Sequence, residues 1–198
     1  MTVDLKAGVA AGRRRVILET MIKQLLPALL LFSLAPLAQA FPSDEMFEKL
    51  KAAEDEAIAA DVADDIWASW LESGSPSADL VMRRAAEALA YGETELARDL
   101  LDRVILMRPD FAEAWHRRAG IFLSEENYSE ALRDLNQTLE AEPRHFGAWL
   151  GMGFVLEQLG GEAEALDSYR EALKIYPLMP QAKAAEARLT LKAEGLEL

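Results

Sequence analysis

Two histidines are the side chains of this sequence best suited to acid–base chemistry near neutral pH, His116 and His145. A catalytic base needs a reacting group or an orienting partner within hydrogen-bond distance. Neither histidine has such a set of partners in the neighbouring sequence. His145 follows Pro143 in a predicted turn, where we expect it to be exposed and structural.

Acidic clusters are the second feature with chemical potential. Glu54, Asp55 and Glu56 stand together, as do Asp64 and Asp65, and such carboxylates can bind metal ions. On an amphipathic helix, however, such runs usually form the solvated face. The sequence contains no glycine-rich phosphate loop, no nucleophile elbow and no cysteine. We therefore expect no enzyme activity, no metal site and no cofactor.

The composition limits the fold and the class of partner. The 198 residues are 51% hydrophobic and 28% charged, as in a folded protein with one sizeable core. Ala, Leu and Glu, which favour helices, outnumber Val, Ile and Thr, so an all-α fold is predicted. The formal net charge of −13 repels a phosphate backbone, which argues against nucleic acid as a partner.

Residues 1–40 are predicted to be a secretory signal region. After Met21 and Lys23 comes an apolar run over residues 25–34, followed by the small-residue site Ala38-Gln39-Ala40. This is the layout of a cleaved signal peptide. The alternative is a membrane anchor. A spanning helix needs about 20 apolar residues, and this run is shorter.

The signal region predicts Sec-type export, with cleavage after Ala40 and a periplasmic or secreted product without stable membrane insertion. Translation starts at Met1 or at Met21, and the compact signal favours Met21. Arg13, Arg14 and Arg15 raise the alternative of twin-arginine export. No apolar core follows them directly, which disfavours that route.

The rest of the chain repeats with a period of 34 residues. Three residue types keep this spacing independently: Pro109, Pro143 and Pro177; Ala97, Ala131 and Ala165; and Trp115 and Trp149. A period of this length is typical of helical arrays in which each repeat packs on its neighbours. Proline ends or precedes a helix, so each proline marks the step to the next unit.

This pattern resembles the tetratricopeptide repeat (TPR) family. The third unit matches the family best, and its matching residues are Trp149, Met152, Gly153, Leu156, Ala165, Tyr169, Ala172 and Pro177. The resemblance implies an α-solenoid of antiparallel helix pairs, with units at 78–111, 112–145 and 146–179. The sequence departs from the family at Arg84 and Arg118, where leucine is preferred, and this leaves the local helix packing open.

The segments outside the three units are predicted to cap the stack. Residues 41–77 form an N-terminal helical cap or a degenerate repeat, and residues 180–198 form a C-terminal capping helix. We expect Trp67 and Trp70 to be buried against the first unit. The alternative is that the two tryptophans form an exposed binding face.

The resemblance implies a protein or peptide as the partner, because the first helix of each TPR pair lines a concave groove. The family positions give these groove residues: Met82, Arg83, Ala86, Leu89, His116, Arg117, Gly120, Leu123, Leu150, Phe154 and Glu157. Chaperone-binding relatives clamp a C-terminal carboxylate with Lys and Asn. Those places here hold Met82, Ala86, Gly147 and Gly151, which disfavours a chaperone-tail adaptor. The alternative function is a structural assembly factor of an envelope or cytochrome-maturation complex that docks by its edge.

Arg83 and Arg117 share one position of successive units. We therefore expect the two side chains near each other on the concave side, where they could hold a carboxylate of the ligand. The alternative is that they form internal salt bridges to Asp79 and Glu113.

Overall fold

The computed structural model describes residues 42–193. The predicted signal region at residues 1–40, with its choice between Met1 and Met21, lies outside the described residues. So do residues 194–198 of the predicted C-terminal cap. Within the described range, no helix combines the length and the apolar character of a membrane span.

Residues 42–193 form α-helices joined by turns, with no strand among them, which confirms the all-α prediction. The helices are α1 Asp44–Lys51, α2 Glu56–Trp70, α3 Pro76–Ala90, α4 Thr94–Met107, α5 Ala112–Ser124, α6 Tyr128–Ala141, α7 Phe146–Gln158, α8 Glu162–Ile175 and α9 Pro180–Ala193. Short turns join α3 to α4, α5 to α6 and α7 to α8, and the helices of each pair pack closely together.

The turn inside each pair needs one residue with a left-handed backbone. This residue is Gly92 in the first pair, with a φ of 76°, and Gly160 in the third pair, with a φ of 82°. In the middle pair it is Glu126, with a φ of 56°. These three positions are 34 residues apart. Glycine adopts this conformation without a steric penalty, whereas Glu126 is held in it. The turn geometry is therefore imposed by the helix pair and not by the residue.

Small residues bring the paired helices close together. Gly153 of α7 faces the ring of Tyr169 in α8, and a Cβ added to Gly153 would lie only 2.6 Å from Tyr169 Cε1. Ala119, Ala131 and Ala165 are fully buried at the other helix crossings. These contacts allow the side chains of one helix to fill the grooves of the next.

Successive pairs are joined by apolar contacts between the second helix of one pair and the first helix of the next. Ile121 of α5 shares a buried cluster with Leu101 of α4. Val155 of α7 shares the next cluster with Leu135 of α6. The repeats therefore form a continuous stack.

Charge also crosses the interface between the first two pairs. Arg118 of α5 donates to Asp134 of α6 at 2.6 and 2.8 Å and to Asp102 of α4 at 2.6 Å. Asp134 is fully buried, and a buried carboxylate is tolerated only when it is paired. The arginine that replaces the family's leucine is therefore accommodated by two carboxylates.

The two ends of the stack are covered in different ways. At the C-terminal end, Leu189 of α9 packs against Ala165 and Tyr169 of α8. At the other end, the α1–α2 hairpin does not continue the stack. Trp70 is buried, which confirms that part of the prediction, but the predicted contact with the first unit is wrong, because Trp70 packs with Phe146 of the third pair.

The hairpin reaches the third pair because that pair offers it aromatic surface and opposite charge. Phe47, Leu50 and Ile66 lie in one buried cluster with Phe146 and Tyr176. At the rim of this cluster, Arg144 donates to Asp44 at 2.6 Å and lies 4.1 Å from the ring centroid of Phe47. Lys183 of α9 donates to Glu56 at 3.2 Å.

We predict that Gly153→Ala destabilises the protein by about 1 to 3 kcal/mol, because the new methyl group overpacks the contact with Tyr169. Gly120→Ala is the matched control, since Gly120 also lies in a helix but has open space where a Cβ would stand. That change should stabilise the protein by up to about 1 kcal/mol through helix propensity. Urea denaturation followed by circular dichroism measures both, and equal effects of the two changes would show that the close crossing does not exist.

Candidate binding groove

The first helices of the three pairs, α3, α5 and α7, line a row of three cavities. The first cavity has a volume of about 490 Å³ and the second about 440 Å³, and both are bordered by Arg117. The third has a volume of about 390 Å³ and shares His116 with the second. Arg117 and His116, both on α5, therefore connect the three cavities into one groove.

The structure brings ten of the eleven predicted groove residues to these cavities. The first cavity is lined by Met82, Arg83, Ala86 and Arg117, the second by Leu89, His116, Arg117 and Gly120, and the third by His116, Leu123, Leu150 and Phe154. Glu157 has other partners: it accepts hydrogen bonds from Arg188 at 2.5 and 2.8 Å and from the Tyr169 hydroxyl at 3.2 Å. These bonds tie α7 to α8 and α9.

Glu113 is a fully buried carboxylate under the centre of the groove. Arg117 Nε donates to its Oε1 at 2.7 Å, and His145 Nε2 lies 3.2 Å from its Oε2. Burial would raise the pKa of Glu113, but contacts with His116 and His145 outweigh burial and hold the pKa well below its ordinary value. Glu113 is therefore ionised at neutral pH, and it orders the side chains around it.

His145 is fully buried, so the expectation of an exposed turn residue is wrong. Its Nδ1 accepts a hydrogen bond from the backbone N–H of Ala148 at 3.0 Å and so caps the N-terminus of α7. Since Nδ1 is an acceptor, the hydrogen of the neutral ring is on Nε2, which donates it to Glu113. Burial, and then the charge of His116, lower the pKa of His145 to about 4, against the opposing pull of Glu113.

These side chains also form a set with the composition of a metal site. One ligand atom each from Glu113, His116 and His145 lie within 4.8 Å of one another. However, a metal ion needs the free lone pair of a ring nitrogen, and His145 Nε2 carries a hydrogen while its Nδ1 caps α7. Arg117 adds a positive charge on the same carboxylate. The donor set therefore does not fit a metal ion, and it serves to hold the groove together.

Two tryptophans of α2 complete the groove. The ring of Trp70 stacks on His145 with a centroid distance of 4.1 Å and an interplanar angle of 9°. Trp67 lies 5.3 Å from the His116 ring and crosses Gly147 so closely that a Cβ there would lie 2.7 Å from its Cη2. Trp67 also lines the second cavity. Helix α2 therefore forms a side wall of the groove, which the repeat pattern did not predict.

This wall has a polar cost. Trp70 Nε1 and His116 Nδ1 are buried and have no hydrogen-bond partner within the described part of the chain. His116 Nδ1 lies 3.4 Å from Glu113 Oε2 but lacks hydrogen-bond geometry. Each unsatisfied buried group costs about 1 to 3 kcal/mol.

The two predicted groove arginines differ in their partners. Both line the first cavity, but Arg117 forms the internal salt bridge to Glu113 that was the alternative to ligand binding. Asp79 instead accepts hydrogen bonds from the hydroxyl and the backbone N–H of Ser73, at 2.5 and 2.9 Å. Arg83 is exposed at the mouth of the cavity and is the arginine that a ligand can reach.

Sequence comparison identifies relatives of the repeat region. The tetratricopeptide repeat profile matches residues 82–132 and 121–180. A TPR repeat-containing protein of Rhizobium etli is 35% identical over 153 residues, which cover 77% of this chain and 74% of that protein. DnaJ homolog subfamily C member 3 of Rattus norvegicus is 34% identical over 89 residues, which cover 45% of this chain and 18% of the relative.

Structure comparison finds similar solenoids. The first TPR domain of Spaghetti (RPAP3), bound to the HSP90 peptide SRMEEVD, has a TM-score of 0.57 and 16% identity, and the match covers 59% of this chain and 93% of that chain. The solved structure of MamA MSR-1 C2 has a TM-score of 0.52 and 21% identity, and the match covers 77% of this chain and 84% of that chain. At these identities, the similarity concerns the fold.

We predict that the free energy of unfolding falls as the pH is lowered from 6.5 towards 4. In this window the unfolded chain binds a proton at His145 but the folded chain does not, because the folded pKa is about 4. The full loss is on the order of 3 kcal/mol from this histidine, and protonation of Glu113 adds to it at lower pH. Urea denaturation at a series of pH values measures the effect, and a constant free energy of unfolding from pH 7 to pH 4.5 would contradict it.

Proposed function

The chain belongs to the tetratricopeptide repeat family, and from this premise we propose that it is a non-catalytic scaffold that binds an extended segment of a partner protein in its groove. The observation that carries the proposal is the row of three connected cavities on α3, α5 and α7. A row of cavities suits a chain whose successive side chains enter one after another. The similar TPR domain solved with a bound HSP90 peptide supports this mode of binding.

The lining indicates the chemistry of the ligand. Leu123, Leu150 and Phe154 make the third cavity mainly apolar. Arg83 gives the first cavity an accessible positive charge, beside the carboxylates of Glu72 and Asp79 in the same lining. A segment with an acidic residue at one end and apolar residues at the other fits both cavities. It need not end in a free carboxylate, because the Lys and Asn clamp of chaperone-tail adaptors is replaced here by Met82, Ala86, Gly147 and Gly151.

A binding role also accounts for the polar cluster better than catalysis does. The hydrogen on His145 Nε2 is committed to Glu113, and its Nδ1 is committed to the backbone of α7. A general base needs a free lone pair that reaches a substrate. Glu113, His145 and Arg117 therefore shape the groove and carry out no reaction in this proposal.

We also propose that the protein acts in the periplasm or outside the cell. The support is the charged start, the apolar run and the Ala38-Gln39-Ala40 site in residues 21–40. The partner would then be another exported or envelope protein.

A second candidate function is a structural assembly factor that docks by its outer surface. It is favoured by the exposed apolar side chains of α4, since Leu106 is 81% exposed and Leu96 is 47% exposed. The equivalent positions of the second pair are Glu140 and Glu130. Exposed apolar surface of this kind can mark an interaction site.

Site-specific crosslinking in the native cell distinguishes the two functions and identifies the partner. A photoreactive amino acid replaces Phe154 in the groove, Leu106 on the outer face of α4, or Leu159 as a control outside the cavities. Under the proposed function, the Phe154 probe captures a partner that the other two probes do not. Capture through Leu106 alone would support the assembly factor and contradict groove binding.

Once the captured segment is known, Phe154→Ala and Arg83→Ala should each weaken its binding by about tenfold, because each removes a buried apolar contact or a charge-assisted hydrogen bond. Leu159→Ala and Arg103→Ala are the matched controls, since both residues are exposed and lie outside the three cavities. Fluorescence anisotropy with a labelled peptide gives the dissociation constants. Arg83→Ala should also reduce the salt dependence of binding, and equal affinities of the groove and control variants would remove the groove from the mechanism.

For the proposed export, the intact mass of the protein recovered from the periplasm should correspond to a chain that starts at Phe41. The small-residue site predicts this cleavage. Recovery from the membrane fraction with residues 21–40 retained would contradict soluble export. A charged substitution in the apolar run, Leu30→Asp, should block export, and the matched exposed-face change Leu159→Asp should not.

A further inference from the structure

The first helix of each pair carries a stripe of four residues that faces the preceding repeat. Because the period is 34, the stripes correspond residue by residue, and the last residue of each is the C-cap that follows the helix: Leu80, Arg84, Glu87 and Tyr91 for α3; Ala114, Arg118, Ile121 and Glu125 for α5; Ala148, Met152, Val155 and Leu159 for α7. In α5 and α7 the inner part of the stripe is covered, since Ala114, Ala148 and Val155 are fully buried and Ile121 nearly so. In α3 nothing among the described helices takes the place of a preceding repeat.

The stripe of α3 is consequently open. Leu80 is 43% exposed and Tyr91 is 83% exposed, and Arg84 and Glu87 between them are also exposed. Within the described part of the chain, neither Arg84 nor Glu87 forms an ion pair. The α1–α2 hairpin does not cover this face, because it packs on the third pair.

We propose that this stripe is a homodimer interface, in which α3 of one chain packs antiparallel against α3 of a second copy. The four residues follow the 4-3-4 spacing of a helix–helix seam. Under a two-fold axis through the middle of the seam, Arg84 of one chain meets Glu87 of the other, twice. Leu80 meets Tyr91, also twice. The stripe is therefore complementary to itself in charge and in apolar character, as an interface between identical surfaces must be.

The stack itself uses ion pairs along this stripe. Arg118, the equivalent of Arg84, donates to Asp102 of the preceding helix at 2.6 Å. Glu125, the equivalent of Tyr91, accepts hydrogen bonds from Arg98 of α4 at 2.9 and 3.0 Å. Inside the chain, ion pairs thus hold α4 against the stripe of α5. A second copy supplies a carboxylate for Arg84 and a guanidinium for Glu87 from the same stripe. A helix of unrelated sequence would need both charges at the matching positions.

Sedimentation equilibrium of the purified protein, in the form that the cell produces, tests the proposal. The average mass should rise with concentration from that of the monomer towards twice that value. Arg84→Glu and Glu87→Arg should each be monomeric, because like charges then face each other across the axis. An equimolar mixture of these two variants should recover the dimer, because every facing pair again has opposite charges.

Matched controls separate this interface from a general effect of charge. Arg103→Glu and Glu95→Arg make the same changes at exposed positions of α4 outside the stripe and should dimerise like the unmodified protein. Tyr91→Ala is an uncharged probe that should raise the dissociation constant at least about tenfold, and circular dichroism checks that each variant is folded. Crosslinking of the groove partner is unaffected by this test, so the two proposals fail separately.

Three outcomes would overturn the homodimer. One is an unmodified protein that stays monomeric at all concentrations. This outcome covers the case in which another part of the same chain, or a different protein, occupies the α3 stripe. Another is a pair of charge-reversed variants that dimerise as the unmodified protein does. The third is a mixture of the two variants that remains monomeric.

Discussion

The groove depends on the burial of one carboxylate. An unpaired buried charge costs several kcal/mol, so the Glu113 side chain can stay buried only if neighbouring groups donate hydrogen bonds to it. Arg117 does so from the same helix, and His145 does so from the start of α7. Because the second nitrogen of His145 caps α7, the charge on one repeat fixes the first turn of the next. The relative position of two groove helices is thereby set by polar contacts as well as by apolar packing.

The side wall of the groove follows from the same interaction. A histidine ring held at both nitrogens cannot rotate, and its face offers a flat surface on which Trp70 stacks. This stacking brings Trp67 of the same helix over Gly147, where a larger residue would leave no space. The groove therefore has a rigid centre made by the protein itself.

The repeats were predictable because their information is local and periodic, and the stacked helix pairs appear where the 34-residue spacing of proline, alanine and tryptophan indicates. His145 was misjudged because its turn was considered alone. The equivalent residues Phe111 and Met179 are both apolar and buried. The 34-residue period therefore indicated a buried position at His145, although the nearby Pro143 suggested an exposed turn. The placement of α1 and α2 could not be predicted, because the 34-residue pattern is weak there: Ala63 keeps the period, but Ser75 stands where the later units have proline. The choice among several apolar surfaces is made only in the folded chain.

That placement changes how the array holds together. In an open solenoid, each repeat touches only its neighbours, so that an end can unravel while the rest stays folded. Here Arg144 bonds Asp44 across 100 residues, and Lys183 bonds Glu56 across 127. These contacts close the sequence into a ring, which raises its contact order and delays their formation during folding. Once they form, the buried cluster that the hairpin shares with the third pair couples the unfolding of the two regions, a coupling that a linear stack of the same repeats lacks.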